Sequence, residues 1–316
     1  MVRLLDKLAI NNFMNIIQKQ VNNLDLFQQK HPVIGVPIAI IKKVSDDDAG
    51  HQAALITYYG FLSLFPLLLV AASVISILSS GNSKIQQEVM QSIGSYIPVI
   101  GEQLSRNINT SSKSGVALVV GLLITFYGTR GGANAFRNAI NHMWHVPKKQ
   151  RIGFPHNIIV SMSMTLIGGI GLACAAILSA YTASLGRSAM FTALSTLVSL
   201  AILVPTFYFL YWISLPNNYT TNHNLIRSAI TSGASVVILQ SIGGYLITNQ
   251  LTTLSPLYGT FAIVLGLLFW IYLQSIAVLY TVSFTIVTSN KLWPRSLSGN
   301  HLTKADKLIQ STHKNA

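Results

Sequence analysis

Arg130, Asn134, Arg137 and Asn141 stand in "TRGGANAFRNAINHMWH" at successive spacings of 4, 3 and 4. On a helix that spacing stacks all four on one face, over about 16 Å at about 1.5 Å per residue. Guanidinium groups present planar forks of N–H donors, and amides add a donor and an acceptor each. A stripe of this kind is suited to binding a phosphate or carboxylate. The apolar "GLLITF" just before it, Gly121 to Phe126, belongs to a membrane-crossing helix, where charge facing lipid is costly. The stripe is therefore expected to face the bundle or an aqueous cleft. Snorkelling to headgroups is the alternative for both arginines: it suits Arg137, near the boundary, better than Arg130, whose reach falls short with depth. Arg130 is expected to find helix carbonyls, mid-span amides such as Gln240 or Gln274, water, or a bound anion. Arg137, Arg227, Asn134 and Asn141 complete the candidate substrate-binding set.

Other chemistries lack their residues. The eight acids are Asp6, Asp25, Asp46, Asp47, Asp48, Glu88, Glu102 and Asp306, all outside the apolar segments. That placement argues against a carboxylate proton relay or a cation site within the membrane. His142 and His145 are three apart and would share a helix face, a metal-ligand spacing, but no HExxH or neighbouring acid completes a site. They are read as interfacial residues beside Trp144. "GTRGGANAF" lacks the lysine of a phosphate-binding loop, and no GxSxG elbow occurs. Cys174, the single cysteine, lies in "GIGLACAAIL" and excludes an intramolecular disulfide. No catalytic residue, metal or cofactor is assigned, and the chain is expected not to be an enzyme.

The elements that must position the stripe follow from composition. The 316 residues are 51% apolar and only 9% charged, with a mean hydropathy of +0.50, outside the range of soluble domains. A span needs about 20 mostly apolar residues. Six segments qualify: 53–78, 115–144, 158–182, 188–213, 228–248 and 257–289. The expected fold is an all-α, polytopic bundle of six transmembrane helices at 53–289, between an interfacial amino-terminal segment, 1–52, and a basic tail, 290–316. Met1 to Asn23 has no cleavable-signal pattern, so the chain is expected to insert without processing.

Lys and Arg set the orientation. Six lie in the amino-terminal segment, three in the loop after helix two (Lys148, Lys149, Arg151), one at Arg227 and five in the tail. Only Lys84, Arg106, Lys113 and Arg187 fall on the other side. Both termini are thus expected in the cytoplasm, with helix two descending from the outer surface near Gly115 to the inner boundary near Asn134. The formal charge of +13 is gathered at the borders of apolar segments, which points to anionic lipid headgroups as partners and not to nucleic acid.

Shorter features surround the spans. "VIGVPIAII", Val33 to Ile41, contains Pro37 and is too short to cross, so it is expected to lie at the cytoplasmic surface. Ser45 and Asp46 to Asp48 precede helix one, where carboxylates favour the positive end of its dipole. Ile85, Val89, Ile93 and Ile97 suggest an amphipathic helix in the outer loop. Pro66 and Pro205 are expected to bend helices one and four. "GGIGLACAA" reads as a close-packing face, and Gln240 and Gln274 as cavity-facing.

"HQAALITYYGFLSLFPLLLV" (His51 to Val70), "TRGGANAFRNAINHMWHVPKK", "FLYWISLPN" (Phe209 to Asn217) and "LYGTFAIVLGLLFWIYL" (Leu257 to Leu273) resemble the YihY/BrkB family of bacterial inner-membrane proteins. The resemblance implies six spans with both ends inside, in agreement with the charge distribution. The family was formerly labelled ribonuclease BN, a label regarded as mistaken; no metal or acid cluster suited to phosphodiester hydrolysis is visible here. The resemblance further implies transport or flipping of lipids or lipid-linked material across the plasma membrane, and with the arginine stripe the expected function is a transporter or translocator of an anionic lipid or lipid-linked substrate. The alternative is a non-transporting scaffold for envelope assembly or virulence, with envelope-assembly proteins as partners. Where relatives commonly carry Leu-Gly-Ala-Glu near the end of helix six, this chain has Tyr280, Thr281, Val282 and Ser283.

Overall fold

The computed structural model describes residues 25–78, 130–184, 189–216, 218–246, 252–296 and 302–315, and among these every regular element is helical. We number them α1 (25–30), α2 (Pro32–Asp46), α3 (Ala49–Leu78), α4 (130–143), α5 (His156–Ser184), α6 (Ala189–Ser214), α7 (Asn222–Leu246), α8 (Thr252–Ser289) and α9 (Lys304–Asn315). The expected spans at 53–78, 158–182, 188–213, 228–248 and 257–289 correspond to α3 and α5 to α8. Of the span expected at 115–144, α4 is the described end. The outer-loop helix, the first part of helix two and residues 1–24 lie outside the described residues.

Among the described residues, three stretches are long and apolar enough to cross a membrane: His156–Ala175, Met190–Ser214 and Val264–Ser289. Successive helices pack as neighbours, α5 on α6, α6 on α7 and α7 on α8, while α8 also carries α3 and α2. Large apolar side chains point outward around the bundle: Ile159, Ile170, Leu197, Trp212, Ile238 and Phe269 are each 51–65% exposed. Inside lie hydroxyls and amides. Tyr211, 1% exposed, stacks near Phe136 of α4 at 6.0 Å and hydrogen-bonds Ser232 Oγ of α7 at 2.6 Å. Ser232 in turn meets Thr281 Oγ1 of α8 at 2.6 Å. Apolar outside with bonded polar groups inside is the arrangement hydrocarbon requires, since lipid offers no hydrogen bonds.

The small-residue run of α5 is a packing face. A Cβ added at Gly171 would lie 2.2 Å from Thr206 Oγ1 and 2.9 Å from Thr206 Cβ, so α5 and α6 touch almost backbone to side chain there. Pro205 sits inside α6 one residue before this contact.

The acids before helix one serve a different purpose from the expected one. Helix α3 begins at Ala49, after a turn in which Asp48 takes a positive φ of 47°. Asp46 instead ends α2 and pairs with Arg295 Nη1 at 2.8 Å. Asp47 Oδ2 accepts from Lys43 Nζ at 2.6 Å, with both side chains buried. Around Arg295 the two ends of the chain are clasped. Gln28 donates to the Arg295 carbonyl and to Asp25 Oδ1, and Ser296 Oγ donates to Asp25 Oδ2 at 2.8 Å. Lys42 donates to the Ser296 carbonyl. Asp306 accepts from Arg295 Nε at 3.0 Å, from the Ser296 and Thr303 amides and from the Thr303 hydroxyl.

Burial alone would raise the Asp306 carboxyl pKa, but these donors more than offset it and hold it below the ordinary aspartate value. A lowered carboxyl contributes stability that is present above the unfolded pKa of about 3.9 and lost as pH falls through the folded one. The clasp should therefore persist at neutral pH and open only in acid below about pH 4, measured as hydrogen exchange in α9. Asp306→Asn, which leaves Arg295 with Asp46 as its remaining carboxylate partner, should weaken the clasp by about 1–3 kcal/mol at neutral pH in the same measurement. At the bundle's other contact, Gly171→Ala should destabilise by about 1–3 kcal/mol in detergent unfolding. Gly169→Ala, with nothing within 4 Å of the added Cβ, should not.

Candidate functional site

Helix α4 is held from several sides. A Cβ at Gly131 would lie 2.7 Å from Tyr59 Cδ1, so a side chain there would displace that ring, while Gly132 faces the Gly60 amide of α3 at an ordinary contact distance of 3.8 Å from its would-be Cβ. At the other end Asn141 Nδ2 donates to the Ser214 carbonyl of α6 at 2.9 Å and to the Arg137 carbonyl at 2.8 Å. Lys43 Nζ of α2 caps the helix by donating to the Met143 carbonyl at 3.1 Å. Ala139, Ile140 and Met143 bury completely in the core.

The stripe consequently faces inward. Arg137 is 4% exposed, which removes the snorkelling alternative: its Nη2 donates to Asn157 Oδ1 of α5 at 2.6 Å. Asn134 Oδ1 accepts from Ser161 Oγ at 2.7 Å. Arg130 is half-buried. Three donors or acceptors on this face have no partner: Arg130 Nε, Arg137 Nη1 and Asn141 Oδ1. Among the described residues no carboxylate pairs with Arg130 or Arg137. Arg130 and Arg151 instead act on Arg137 as like charges. Arg151, in the loop after α4, donates from Nε to the Val146 carbonyl at 3.0 Å, and burial lowers its pKa. Three cations without an acid create a positive potential that an anion would relieve.

The remaining candidates are dispersed. Arg227 is exposed in the first turns of α7, and Gln240 is exposed farther along the same helix. Gln274 is half-buried with Oε1 unpartnered. Ser283, at the position where the family resemblance sets a glutamate, is fully buried with its hydroxyl unpartnered. His142 and His145 do not share a helix face: α4 ends at 143, and His145 follows with φ 51°. Its Nε2 lies 3.4 Å from both Asp47 Oδ1 and Lys43 Nζ. Asn157, Ser161 and Arg151 were not singled out by spacing. The only sequence signal for the first two is an "NIIVS" spacing of four on α5, matching that between Arg130 and Asn134.

A helical bundle with apolar walls and a buried cationic stripe defines an integral membrane protein. The sequence profile of the family described as Virulence factor BrkB matches residues 40–305, and the chain belongs to that family. It is 26% identical over 244 residues to a UPF0761 membrane protein of Acinetobacter baylyi, covering 74% of this chain and 57% of the relative. With a UPF0761 membrane protein of Psychrobacter it shares 26% identity over 262 residues, 79% of this chain and 48% of the relative. The chain thus spans about half the length of these two relatives. With the inner membrane protein YhjD of Escherichia coli it shares 24% identity over 292 residues, 84% of this chain and 85% of the relative. No solved structure matches the chain.

Among the described residues, the side-chain partner of the Arg137 guanidinium is the amide oxygen of Asn157. Asn157→Ala should cost about 1–3 kcal/mol in detergent unfolding, because a buried charged donor loses its acceptor. Asn157→Asp, supplying the missing carboxylate, should be more stable than Asn157→Ala.

Proposed function

We propose that this is a multi-pass protein of the bacterial inner membrane, with six spans and both termini in the cytoplasm, that binds an anionic headgroup in the inner leaflet and translocates the lipid or lipid-linked substrate carrying it. The observation that carries this reading is the pair of buried, unpartnered N–H groups, Arg130 Nε and Arg137 Nη1, on a face without a carboxylate partner among the described residues. Planar guanidinium forks match phosphate and carboxylate oxygens. Arg130 makes the first contact, Arg137 and Arg151 add field, and Asn134 offers its amide N–H donors. The excess of Lys and Arg in the segments assigned to the cytoplasm supports the orientation, and similarity to the inner membrane protein YhjD of Escherichia coli supports the membrane. Transport would draw on a partner or an existing gradient, since no nucleotide-binding motif is present.

Arg130→Gln tests the reading in proteoliposomes. Losing one charge-assisted contact of about 1.5–3 kcal/mol should weaken binding of an anionic lipid roughly 10- to 100-fold and abolish its movement, with the melting temperature unchanged. Unchanged transport would sink the proposal. Binding without movement in the parent protein would favour the scaffold.

A further inference from the structure

Helix α2 carries its polarity reversed for a helix at a water-facing surface. Its inner side buries Lys43 and Asp47, whose side chains are 3% and 1% exposed, beside Gly35, Ala39 and Val44. Its outer side presents Val33 at 84%, Ile34 at 42% and Ile41 at 58% exposure, with Pro37 also exposed. Val33, Pro37 and Ile41 follow at four-residue spacing and form one ridge. Leu26 and Phe27 of α1 extend the exposed apolar surface. In water the expected arrangement is the opposite, with the ion pair outside and the ridge inside.

The hydrophilic exposed residues are confined to the two ends, Lys30 and His31 before the ridge and Ser45 and Asp46 after it. Fifteen residues of helix reach only about 22 Å, too little to cross a bilayer. The apolar surface is continuous with that of the membrane-spanning helices, because α2 packs on α3 and α8, whose Leu55, Leu62 and Phe284 are exposed as well. From behind, the register of α2 is fixed by polar bonds: Lys42 to the Ser296 carbonyl, Asp46 to Arg295, and Lys43 to Asp47 and the Met143 carbonyl. Rotating the ridge away from its present direction would break the three that reach other elements, those to Ser296, Arg295 and Met143.

We propose that α1 and α2 form an in-plane membrane anchor, with the Val33, Pro37 and Ile41 ridge embedded in the acyl chains of the leaflet at which α3 begins and α8 ends. The occupant is the lipid itself, because a ridge flanked by apolar helix surfaces and backed by an ion pair matches hydrocarbon on one side and protein on the other. The anchor also brings lipid beside the inner end of α4, to which Lys43 is bonded. It does not depend on what Arg130 binds.

The test uses the full chain with Cys174→Ala, in nanodiscs of phosphatidylglycerol and phosphatidylethanolamine. Val33→Cys, Ile41→Cys or Ser45→Cys carries a small fluorophore. Probes at 33 and 41 should be quenched by nitroxides on lipid acyl chains. Iodide should quench them at roughly one-tenth the rate seen at 45, a ratio equivalent to about 1.4 kcal/mol. Ile34→Cys repeats the measurement should Val33→Cys misfold. Equal iodide quenching at 33, 41 and 45 would overturn the proposal. So would protection from iodide without quenching by lipid nitroxides, the result expected if a second copy or another segment of this chain covers the ridge.

Discussion

The Arg137 guanidinium is buried with an amide for its acceptor and two further guanidinium groups as its charged neighbours, and the packing of α4 is arranged around that fact. Removing such a group from water costs several kcal/mol. One charge-assisted bond to Asn157 returns about 1.5–3 kcal/mol, so the position must be held by contacts made elsewhere. Helix α4 supplies them on every side: glycines against Tyr59 and Gly60, Phe136 beside Tyr211, Asn141 on the Ser214 carbonyl, and the Met143 carbonyl under Lys43. Each of these fixes the axis or rotation of α4. Together they leave the arginine side chains no apolar face to turn away from.

Among the described residues, the missing counter-charge is explained by where the acids are engaged. Asp25, Asp46, Asp47 and Asp306 lie in the clasp and at the end of α2, each already bonded to a lysine, an arginine, a glutamine or a hydroxyl. The acids thus serve the joining of the two ends of the chain, while the cations of α4 and its following loop are left to amides and carbonyls. Charge segregation of this kind has a physical consequence. In the clasp each cation has a carboxylate beside it, whereas the face of α4 carries a net positive field that is screened little by salt where water is excluded.

Hydropathy was enough to place α3 and α5 to α8 within a few residues, because twenty apolar residues have few alternatives to a span. The 4-3-4 spacing likewise made the α4 stripe legible, since neighbours on a helix face are fixed by geometry. What spacing could not supply was partners distant in the chain. Nothing near Asp46 points to Arg295, and nothing near Arg137 points to Asn157, so three acids before α3 looked like helix-dipole residues and Arg137 like one able to snorkel. Gln240 shows a further limit. It continues the phase of buried Ala229, Ser232, Gly233, Val236 and Val237, yet it is exposed, because periodicity gives the direction of a side chain and not how far along α7 the neighbours extend.

Ser161 shows how the stripe could respond to a ligand. Its hydroxyl has one hydrogen and three acceptors within reach: Asn134 Oδ1 at 2.7 Å, the Asn157 carbonyl at 2.7 Å and Asn157 Oδ1 at 3.2 Å. While Arg137 occupies Asn157 Oδ1, the hydroxyl can serve Asn134 or the carbonyl. An anion that drew the guanidinium away would leave the Asn157 oxygen bare, and Ser161 could turn its hydrogen to it by rotation about one bond. Asn134 Oδ1 would then lose its donor and its amide would be free to reorient, one helical turn from Arg130. The amide and hydroxyl network thereby links the Arg137 guanidinium to the Asn134 amide through bond rotations alone, whereas a carboxylate paired to Arg137 would hold the charge in place.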